Sequence, residues 1–408
     1  MKKIPVTIPY FDEKEKEAVG EVLASGWVAQ GPKVAEFEKM IATHEKVKEG
    51  VAVTSCTTAL HLVMEVMGMS EGMDVLVPAF TFVATANAVV ETGATPVFVD
   101  IKQETFNVDI VSVQKIIETC YEQKNGKLYN KATQNTLWGI VPVHEFGLCC
   151  EIHEINELAK KYGLKVIEDA ACALGAKIGD THVGGFGNPA CLSFHPRKSI
   201  TTGEGGMVLT DDTDMAVQMR ELRTHGSTVS ADQRHSGKGF LLPEFNQAGY
   251  NYRMTDIQAA VGLVQGEKLD NIIEQKQKKA AIYNRLISEQ IPEFIIPSVP
   301  ENYFHTYQSY VCMLNYEKLG LKNIEEGGAY RNQLLEKLEE VGIATRQGTH
   351  AVHMLGYYRT TYGYQPEDYI NAYACDHLSI TLPLYVQLTE DEQKYVVETV
   401  KQTIATLK

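Results

Sequence analysis

Short apolar runs rich in β-branched residues alternate with helical patterns through the first two-thirds of the chain. The runs predict seven strands, at 50–54, 74–78, 96–100, 139–143, 165–168, 190–194 and 207–210. Helices are predicted between them, where apolar residues recur every three or four positions, at 57–67, 81–92, 108–120 and 152–162. Several strand runs are apolar almost throughout, which is typical of strands covered by helices on both faces. The pattern predicts an α/β fold with a mostly parallel, seven-stranded sheet.

The pattern changes after residue 253. A long helix is predicted over 256–283, apolar in its first half and strongly charged in its second. Beyond a proline-rich stretch the patterns predict a strand at 308–314 and helices at 330–341 and 389–407. We therefore expect two domains, a large α/β domain over 1–255 and a smaller C-terminal α+β domain over 256–408.

The composition is that of an ordinary globular protein, with 44% of the 408 residues hydrophobic and 22% charged. The formal net charge of −14 would repel a phosphate backbone, which argues against nucleic-acid binding. The chain starts without the apolar stretch of a signal peptide, and no run approaches the ~20 apolar residues that span a bilayer. We therefore expect a cytoplasmic protein without a membrane segment.

The most informative candidate for chemistry is Lys198, in the loop between two predicted strands and just before a Gly-Glu-Gly-Gly turn. Lysine forms Schiff bases with carbonyl compounds when its amine is suitably placed, and glycines let the backbone pass close to a bulky cofactor. A surface lysine in a loop is the plain alternative, and only the surrounding residues decide between the two.

Two further candidates lie where predicted strands end. Glu168 and Asp169 close an apolar strand, at the edge where α/β sheets bind ligands. A carboxylate there can keep a pyridinium nitrogen protonated, although Asp169 could equally cap a helix. Thr57 and Thr58 stand where the strand 50–54 runs into a helix, and a helix N-terminus is a ready phosphate site. Simple capping by these hydroxyl residues is the alternative.

Other cofactor motifs are missing from the sequence. Neither a G-x-x-x-x-G-K-[ST] loop nor a G-x-G-x-x-G turn after a strand occurs, so ATP and nicotinamide sites are unsupported. The eight cysteines include no C-x-x-C pair and are expected to be reduced. Zinc would be conceivable at 144–153, where His144, Cys149, Cys150 and His153 cluster, but the spacing is unlike a structural zinc site. We expect no metal.

Several blocks together resemble one family almost from end to end. They are SGWVAQGP at 25–32, VTSCTTALHL at 53–62, VPAFTFVATANAV at 77–89, VIEDAACALGA at 166–176, SFHPRKSITTGEGGM at 193–207 and GYNYRMTDIQAA at 249–260. In order, spacing and content these blocks resemble the nucleotide-sugar aminotransferases of the DegT–StrS family, most closely those of the perosamine-synthase type. The resemblance implies fold type I of the pyridoxal 5′-phosphate (PLP) enzymes.

The resemblance also implies roles for single residues. Lys198 would hold PLP as a Schiff base and move the proton between the amino donor and the cofactor. Asp169 would face the pyridine nitrogen and Phe82 would stack on the ring. Cys172 would lie near the ring oxygen, where many members carry Gln or His; cysteine is a weaker hydrogen-bond partner, so we expect a tuned cofactor rather than lost activity.

The phosphate of PLP would be bound by Thr57, Thr58 and Ser193. Asn251 would reach the same phosphate from the neighbouring subunit, so the resemblance implies a homodimer with shared active sites.

The implied reaction moves an amino group from an amino acid, most simply glutamate, to a nucleotide-linked keto-sugar. We expect a 4-keto-6-deoxyhexose as acceptor, in amino-sugar synthesis for a surface polysaccharide such as lipopolysaccharide O-antigen. Candidate substrate contacts are Arg253, His305, His350 and His353, with domain packing as the alternative for each.

Two other functions stay open at this stage. A PLP-dependent dehydratase acting on a nucleotide sugar is disfavoured by Lys198, because the related dehydratase branch carries histidine there. A non-catalytic regulator on the same fold is disfavoured by the intact set of cofactor residues, since fold alone does not fix function.

Overall fold

The computed structural model describes residues 3–228 and 242–407. Its strands are β1 (Glu49–Val53), β2 (Met73–Pro78), β3 (Phe80–Thr81), β4 (Thr95–Val99), β5 (Tyr121–Lys124), β6 (Lys127–Asn130), β7 (Thr136–Ile140), β8 (Lys165–Val166), β9 (Glu168–Asp169), β10 (Lys177–Ile178), β11 (Thr181–His182), β12 (Ala190–Ser193), β13 (Gly206–Thr210), β14 (Phe294–Ile295), β15 (Tyr303–Phe304), β16 (Tyr310–Leu314), β17 (His350–Ala351) and β18 (Ser379–Leu382). Its α-helices are α1 (Glu13–Ser25), α2 (Pro32–His44), α3 (Cys56–Val66), α4 (Ala84–Glu91), α5 (Ile110–Cys120), α6 (Ile152–Tyr162), α7 (Thr213–Leu222), α8 (Asp256–Glu267), α9 (Leu269–Gln290), α10 (Ile324–Glu340), α11 (Gly356–Tyr362), α12 (Ile370–Leu378) and α13 (Glu390–Leu407).

The central sheet has the strand order β4, β2, β7, β8–β9, β12, β13, β1. The short strands β8 and β9 are two parts of one strand interrupted at Ile167, the first pairing with β7 and the second with β12. Only β13 runs antiparallel to its neighbours, β12 and β1. The predicted mostly parallel, seven-stranded α/β sheet is therefore confirmed, and the order matches a fold-type I enzyme.

Apolar side chains on both faces of this sheet explain its uninterrupted hydrophobic strands. Val51, Val53, Val75 and Val77 lie in one buried cluster and Ala52 in another, so alternate residues of one strand enter different cores. Burying both faces removes apolar area from water, and this burial stabilises the folded state by roughly 25 cal/mol per Å². It therefore favours the uninterrupted apolar runs that the sequence shows.

A β-hairpin, β5–β6, extends the sheet beyond β7 and was not predicted. Its turn is Asn125-Gly126, and both residues have positive φ angles, 50° and 76°. Asn-Gly is the preferred pair for a two-residue hairpin turn of this kind. The flanking strands are too polar to be recognised by hydrophobic pattern alone.

Three predicted helices have different bounds in the structure. The helix expected over 81–92 starts at Ala84, because residues 80–81 form β3 and pair with β17. The helix expected over 256–283 is broken at Lys268 into α8 and α9, and the ammonium of Lys268 binds Glu15 and Asp12 there. The helix expected over 330–341 already begins at Ile324, since its two glycines lie against Leu378 and His377 rather than ending it.

The C-terminal part has its own antiparallel sheet, β14–β16–β18, on which α12 packs, and the helices α9 and α10 both pack on α13. The helices α1 and α2 from the start of the chain pack on α8. The division of the chain at residue 255 stays a prediction. No helix in the described residues is both long and apolar enough to cross a membrane.

Candidate active site

A cavity of about 600 Å³ opens where β7, β9 and β12 end, and it collects residues from the whole length of the chain. The first turn of α3 and the segment after β3 form part of the lining. The loops after β9 and β12 add Cys172 and Lys198. The segment 346–350 reaches the same cavity because β17 pairs with β3, with His350 opposite Thr81.

Asp169 stands at the end of β9 with its carboxylate buried in the cavity wall. The hydroxyl of Thr85 donates to one carboxylate oxygen at 2.7 Å, and the amide of Ala171 donates to the other at 3.1 Å. Burial raises the pKa of Asp169, and these hydrogen bonds and the nearby Lys198 partly oppose that shift. A buried carboxylate of this kind is stabilised by a cationic partner.

The neighbouring Glu168 points to the other side of the strand and is wholly buried. It accepts hydrogen bonds from Nε2 of His144 at 3.0 Å and from the Asn188 amide at 3.1 Å. Nδ1 of His144 in turn accepts from the backbone amide of Cys150, which assigns the ring proton to Nε2. This network fixes the strand end that carries Asp169, and it uses both ring nitrogens of His144.

Lys198 lines the cavity with its Nζ 3.1 Å from the sulfur of Cys172. Burial acts to lower the pKa of Lys198, whereas its hydrogen bond to the sulfur of Cys172 and the nearby Asp169 act to raise it, and the net shift is upward. Burial raises the pKa of Cys172 and Lys198 opposes that shift, so the sulfur next to the ammonium is a thiol at neutral pH.

The first turn of α3 has the free backbone amides that an anion would need. Ser55 caps the helix, its hydroxyl accepting from the amide of Thr58, so the amides of Cys56 and Thr57 are left without intrahelical acceptors. The hydroxyl of Thr58 is engaged with the backbone of Ser55 at 2.8 Å, and Thr57 rather than Thr58 lines the cavity.

Gly206 brings a second strand against this turn. It lies opposite Val53 in one neighbouring strand and opposite Ser193 in the other. A Cβ added at Gly206 would lie 2.3 Å from the carbonyl carbon of Ser55, so only glycine permits this approach. Ser193, which pairs with Gly206, and the first turn of α3 line the same cavity, and a helix N-terminus suits a phosphate group.

Phe82 is an unusual surface residue, because 62% of it is exposed although it lines the cavity. An aromatic ring held in the open at the cavity mouth is available to stack on a planar ligand. Together, the lysine, the buried carboxylate, the phosphate-sized space and this free ring fit the four parts of PLP.

Comparison with known proteins decides the family. The sequence profile described as "DegT/DnrJ/EryC1/StrS aminotransferase family" matches residues 9–401. The chain belongs to this family. It is therefore a PLP-dependent sugar aminotransferase, as its resemblance had implied.

Three similar proteins illustrate the relationship. The GDP-perosamine synthase of Escherichia coli O157:H7 is 35% identical over 405 residues, covering 98% of this chain and 99% of that protein. The solved structure of Helicobacter pylori PseC, an aminotransferase of pseudaminic acid biosynthesis, has a TM-score of 0.85 at 26% identity, covering 99% and 100% of the two chains. The PLP form of the sugar aminotransferase Spr1654 from Streptococcus pneumoniae also has a TM-score of 0.85, at 25% identity and full coverage of both chains.

The structure brings some predicted site residues of this family member into the cavity and leaves others outside it. The cavity lining includes Thr57, Phe82, Asp169, Cys172, Ser193, Lys198 and His350. Asn251 is exposed and pairs with Thr224, and Arg253 pairs through its backbone with Val53; neither lines the cavity of this chain.

Two of the predicted substrate histidines lie in the protein interior. His305 stacks on Tyr307 and accepts from its backbone amide, and burial lowers the pKa of His305 to about 3. His353 packs edge-on against the rings of Tyr364 and Tyr369, and burial lowers the pKa of His353 to about 4. Both are neutral imidazoles at physiological pH and lie outside the cavity lining.

Three lining residues were not found from the sequence. Glu145 follows β7 and is buried, with one carboxylate oxygen lacking a partner in the described residues. Arg346 is partly buried, and its Nε has no hydrogen-bond partner there either. Thr85, which binds Asp169, lies one helical turn after Phe82 in a block that the sequence comparison had already highlighted. The position of Glu145 at a strand end was the one available signal for it.

Proposed function

We propose that this aminotransferase moves the amino group of glutamate to a nucleotide-linked 4-keto-6-deoxyhexose, yielding a 4-amino sugar for a surface polysaccharide such as lipopolysaccharide O-antigen. The supporting observation is the 35% identity with a GDP-perosamine synthase over nearly the whole of both chains. The cavity of about 600 Å³ is large enough for a cofactor and part of a sugar nucleotide.

The residues in the cavity suggest how the cofactor would be held. Lys198 would bind the carbonyl carbon of PLP, and Asp169 would face its ring nitrogen. Thr57 and Ser193 would bind its phosphate at the first turn of α3, while Phe82 would cover its ring. Bound in this way, PLP supplies an electron sink for the breaking of the C–H bond in the amino donor.

Lys198 would also handle the proton that leaves the donor. Its free amine would be a basic group within the cavity, and it lies 3.1 Å from the sulfur of Cys172. The uncharged thiol can accept or donate a weak hydrogen bond, so it would orient the amine without neutralising it. Thr85 and the amide of Ala171 keep Asp169 in place during the transfer.

Arg346 is the residue best suited to the donor. Arg346 lines the cavity, burial lowers the pKa of its guanidinium, and its Nε lacks a partner among the described residues; an arginine side chain nevertheless stays charged in proteins. A planar guanidinium binds carboxylates through two parallel hydrogen bonds. Next to it, Gln347 contacts Nδ1 of His350 at 2.8 Å, and this pair would contact the sugar.

The active site would be completed by a second subunit. Asn251 is exposed and lies outside the cavity of its own chain, as expected of a residue that serves the partner's phosphate site. We therefore include a homodimer with shared active sites in the proposal.

A two-stage spectral titration tests the substrates. Glutamate is added first to the PLP-loaded enzyme, followed by a panel of nucleotide-linked 3- and 4-keto sugars. We expect glutamate to remove the visible absorbance of the lysine-bound cofactor and one 4-keto sugar to restore it. Restoration by a 3-keto sugar alone would refute the proposed acceptor, and no response to glutamate would refute the proposed donor.

Variants of Arg346 separate the donor site from the sugar site. Arg346→Gln should raise the KM for glutamate by about tenfold or more, since a charge-assisted bidentate pair is lost. The KM for the sugar nucleotide should stay nearly constant. A rise in the KM for the sugar nucleotide, with the KM for glutamate unchanged, would assign Arg346 to the diphosphate instead.

A further inference from the structure

A second cluster of potential ligands lies apart from the cavity lining, where α2 ends. It consists of His44 and Glu45 at that end and His182 in β11. One potential ligand atom from each of the three lies within 4.8 Å of the other two. Glu45 is completely buried, whereas the side chains of His44 and His182 are 22% and 12% exposed. The cluster is therefore an enclosed carboxylate between two imidazoles that solvent can still reach.

Two atoms of this cluster face each other without a partner. Oε2 of Glu45 and Nδ1 of His182 are 3.5 Å apart, and neither makes a hydrogen bond within the described residues. A buried carboxylate oxygen without a hydrogen-bond partner destabilises the fold, because it has lost its contact with water and gained nothing in return. In a tetrahedral zinc site, with bonds of about 2.0–2.1 Å, ligand atoms lie about 3.4 Å apart. The observed gap is therefore too long for a good hydrogen bond and suitable for a shared cation.

The surroundings of His44 match those of a metal ligand. Its Nδ1 faces Glu45 at 2.7 Å, while its Nε2 is 2.9 Å from the carboxylate of Asp270. Histidines that bind metals usually give their other ring proton to a carboxylate or carbonyl in this way. The Glu45 oxygen that faces His44 is Oε1, which also accepts from the backbone amide of Gly175 at 3.0 Å; these contacts orient the carboxylate and leave Oε2 without a partner among the described residues.

We propose that His44, Glu45 and His182 form a zinc site, with Nδ1 of each histidine and Oε2 of Glu45 as ligands and water at the fourth position. Two histidines and one glutamate are a known zinc ligand set, and imidazole with carboxylate suits Zn²⁺ better than Ca²⁺ or Mg²⁺. His44 and Glu45 are adjacent in the sequence but His182 is far from both, which explains why no spacing motif revealed the site.

The ion would link α2 and β11, two segments close to the loop that follows Asp169. Gly175, bound to Glu45, lies at the end of the loop 170–175, which follows Asp169 and contains Cys172. Asp270 lies in the first turn of α9. An ion here would fix this loop against α2 and α9, and its role would be structural, because the ligands lie outside the cavity lining.

Zinc binding by the PLP-loaded enzyme, without a histidine tag, tests the proposal. The protein is freed of metal with a chelator, dialysed against Zn²⁺, and the bound metal per chain is measured by elemental mass spectrometry. We expect one zinc per chain in the wild type and none at this site in His182→Gln. Asp270→Asn should bind zinc about 10–100-fold more weakly, since it removes only the partner of a ligand.

A matched control is His153→Gln, which changes an exposed histidine on α6 outside the cluster and should keep full zinc binding. The absorbance of the bound cofactor checks that each variant is folded, and Asp270, 89% exposed, can be changed with little risk to the fold. Equal zinc in the wild type and His182→Gln would place the metal elsewhere, for example on cysteines. No zinc in the wild type would mean that the cluster is held only by the hydrogen bonds of His44 to Glu45 and Asp270. Either result overturns the proposal.

Discussion

At the scale of single residues, the cavity contains some groups that sequence motifs identify and others that they do not. Lys198 and Asp169 stand in motifs whose order and spacing point to their chemistry, and both line the cavity. Glu145 is buried beside them, yet its position after a predicted strand was the only sign in the sequence that set it apart from a surface glutamate. Burial and the neighbouring Asp169 raise the pKa of Glu145 to about 8. Such an environment exists only after folding, so it could not be predicted.

The first prediction concerns Lys198. Lys198→Ala should lower turnover by about 10³-fold or more, because the group that moves the proton is lost. PLP should still bind through its phosphate and ring, but without the visible absorbance of the lysine-bound form. Stopped-flow measurement of the glutamate half-reaction checks the rate, and gel filtration followed by cofactor quantification checks binding. Appreciable turnover in the variant would contradict the assignment of Lys198.

The second prediction uses the raised pKa of Glu145. Between about pH 4.5 and 8 the folded protein keeps a proton on Glu145 that the unfolded chain releases, so this group makes stability fall as pH rises. Glu145→Gln removes the ionisable group and with it this loss of stability at higher pH. Its Tm relative to the wild type should therefore rise by a few degrees between pH 5 and pH 8.

Differential scanning calorimetry of both proteins at the two pH values measures this effect. Glu339→Gln is the matched control, because it changes an exposed glutamate on α10 and should show no such pH-dependent gain. A constant Tm difference for Glu145→Gln would mean that Glu145 is ionised in the folded protein across this range.

At the scale of elements, hydrophobic patterns located the central strands because both faces of each strand are buried. They could not reveal that β13 runs antiparallel, since direction comes from pairing with β1 and β12 rather than from the strand itself. The hairpin β5–β6 has a typical turn sequence, Asn125-Gly126, but its strands are too polar for a hydrophobic pattern to reveal them. The break at Lys268 depends on acidic partners in α1 and before it, which no local pattern contains.

The third prediction belongs to the junction of β13 and α3. Gly206→Ala should push the strand away from the helix N-terminus, because its Cβ would lie 2.3 Å from Ser55 and 2.6 Å from the amide of Cys56. Overpacking of this kind costs about 1–3 kcal/mol, so PLP affinity should fall by about tenfold or more. Equilibrium binding of PLP measures the change.

The control for this change is Gly20→Ala, on the exposed side of α1, where a Cβ meets nothing within 4 Å. It should leave PLP affinity unchanged and stabilise the helix slightly. If both variants bind PLP as the wild type does, the first turn of α3 is not the phosphate site.

At the scale of the whole molecule, the active site is assembled from distant parts of the chain. Ser55, Lys198 and Arg346 meet in one cavity because β13 packs on α3 and β17 pairs with β3. The family blocks predicted Lys198 and contain Ser55 without assigning it a role, whereas Arg346 reaches the cavity next to a two-residue strand that no pattern indicates. The cluster of His44, Glu45 and His182 was invisible for the same reason, since long-range pairing alone creates it.

The last prediction tests whether two chains build each site. Asn251→Asp would place a negative charge against the PLP phosphate, and Lys198→Ala would remove the catalytic amine, so each variant alone should be nearly inactive. If Asn251 serves the partner's site, a hybrid dimer has one site with both changes and one with neither. Random mixing of unfolded and refolded, or co-expressed, chains should then recover about a quarter of wild-type activity. If Asn251 serves its own chain, every site carries a change and no activity returns, whatever the oligomeric state.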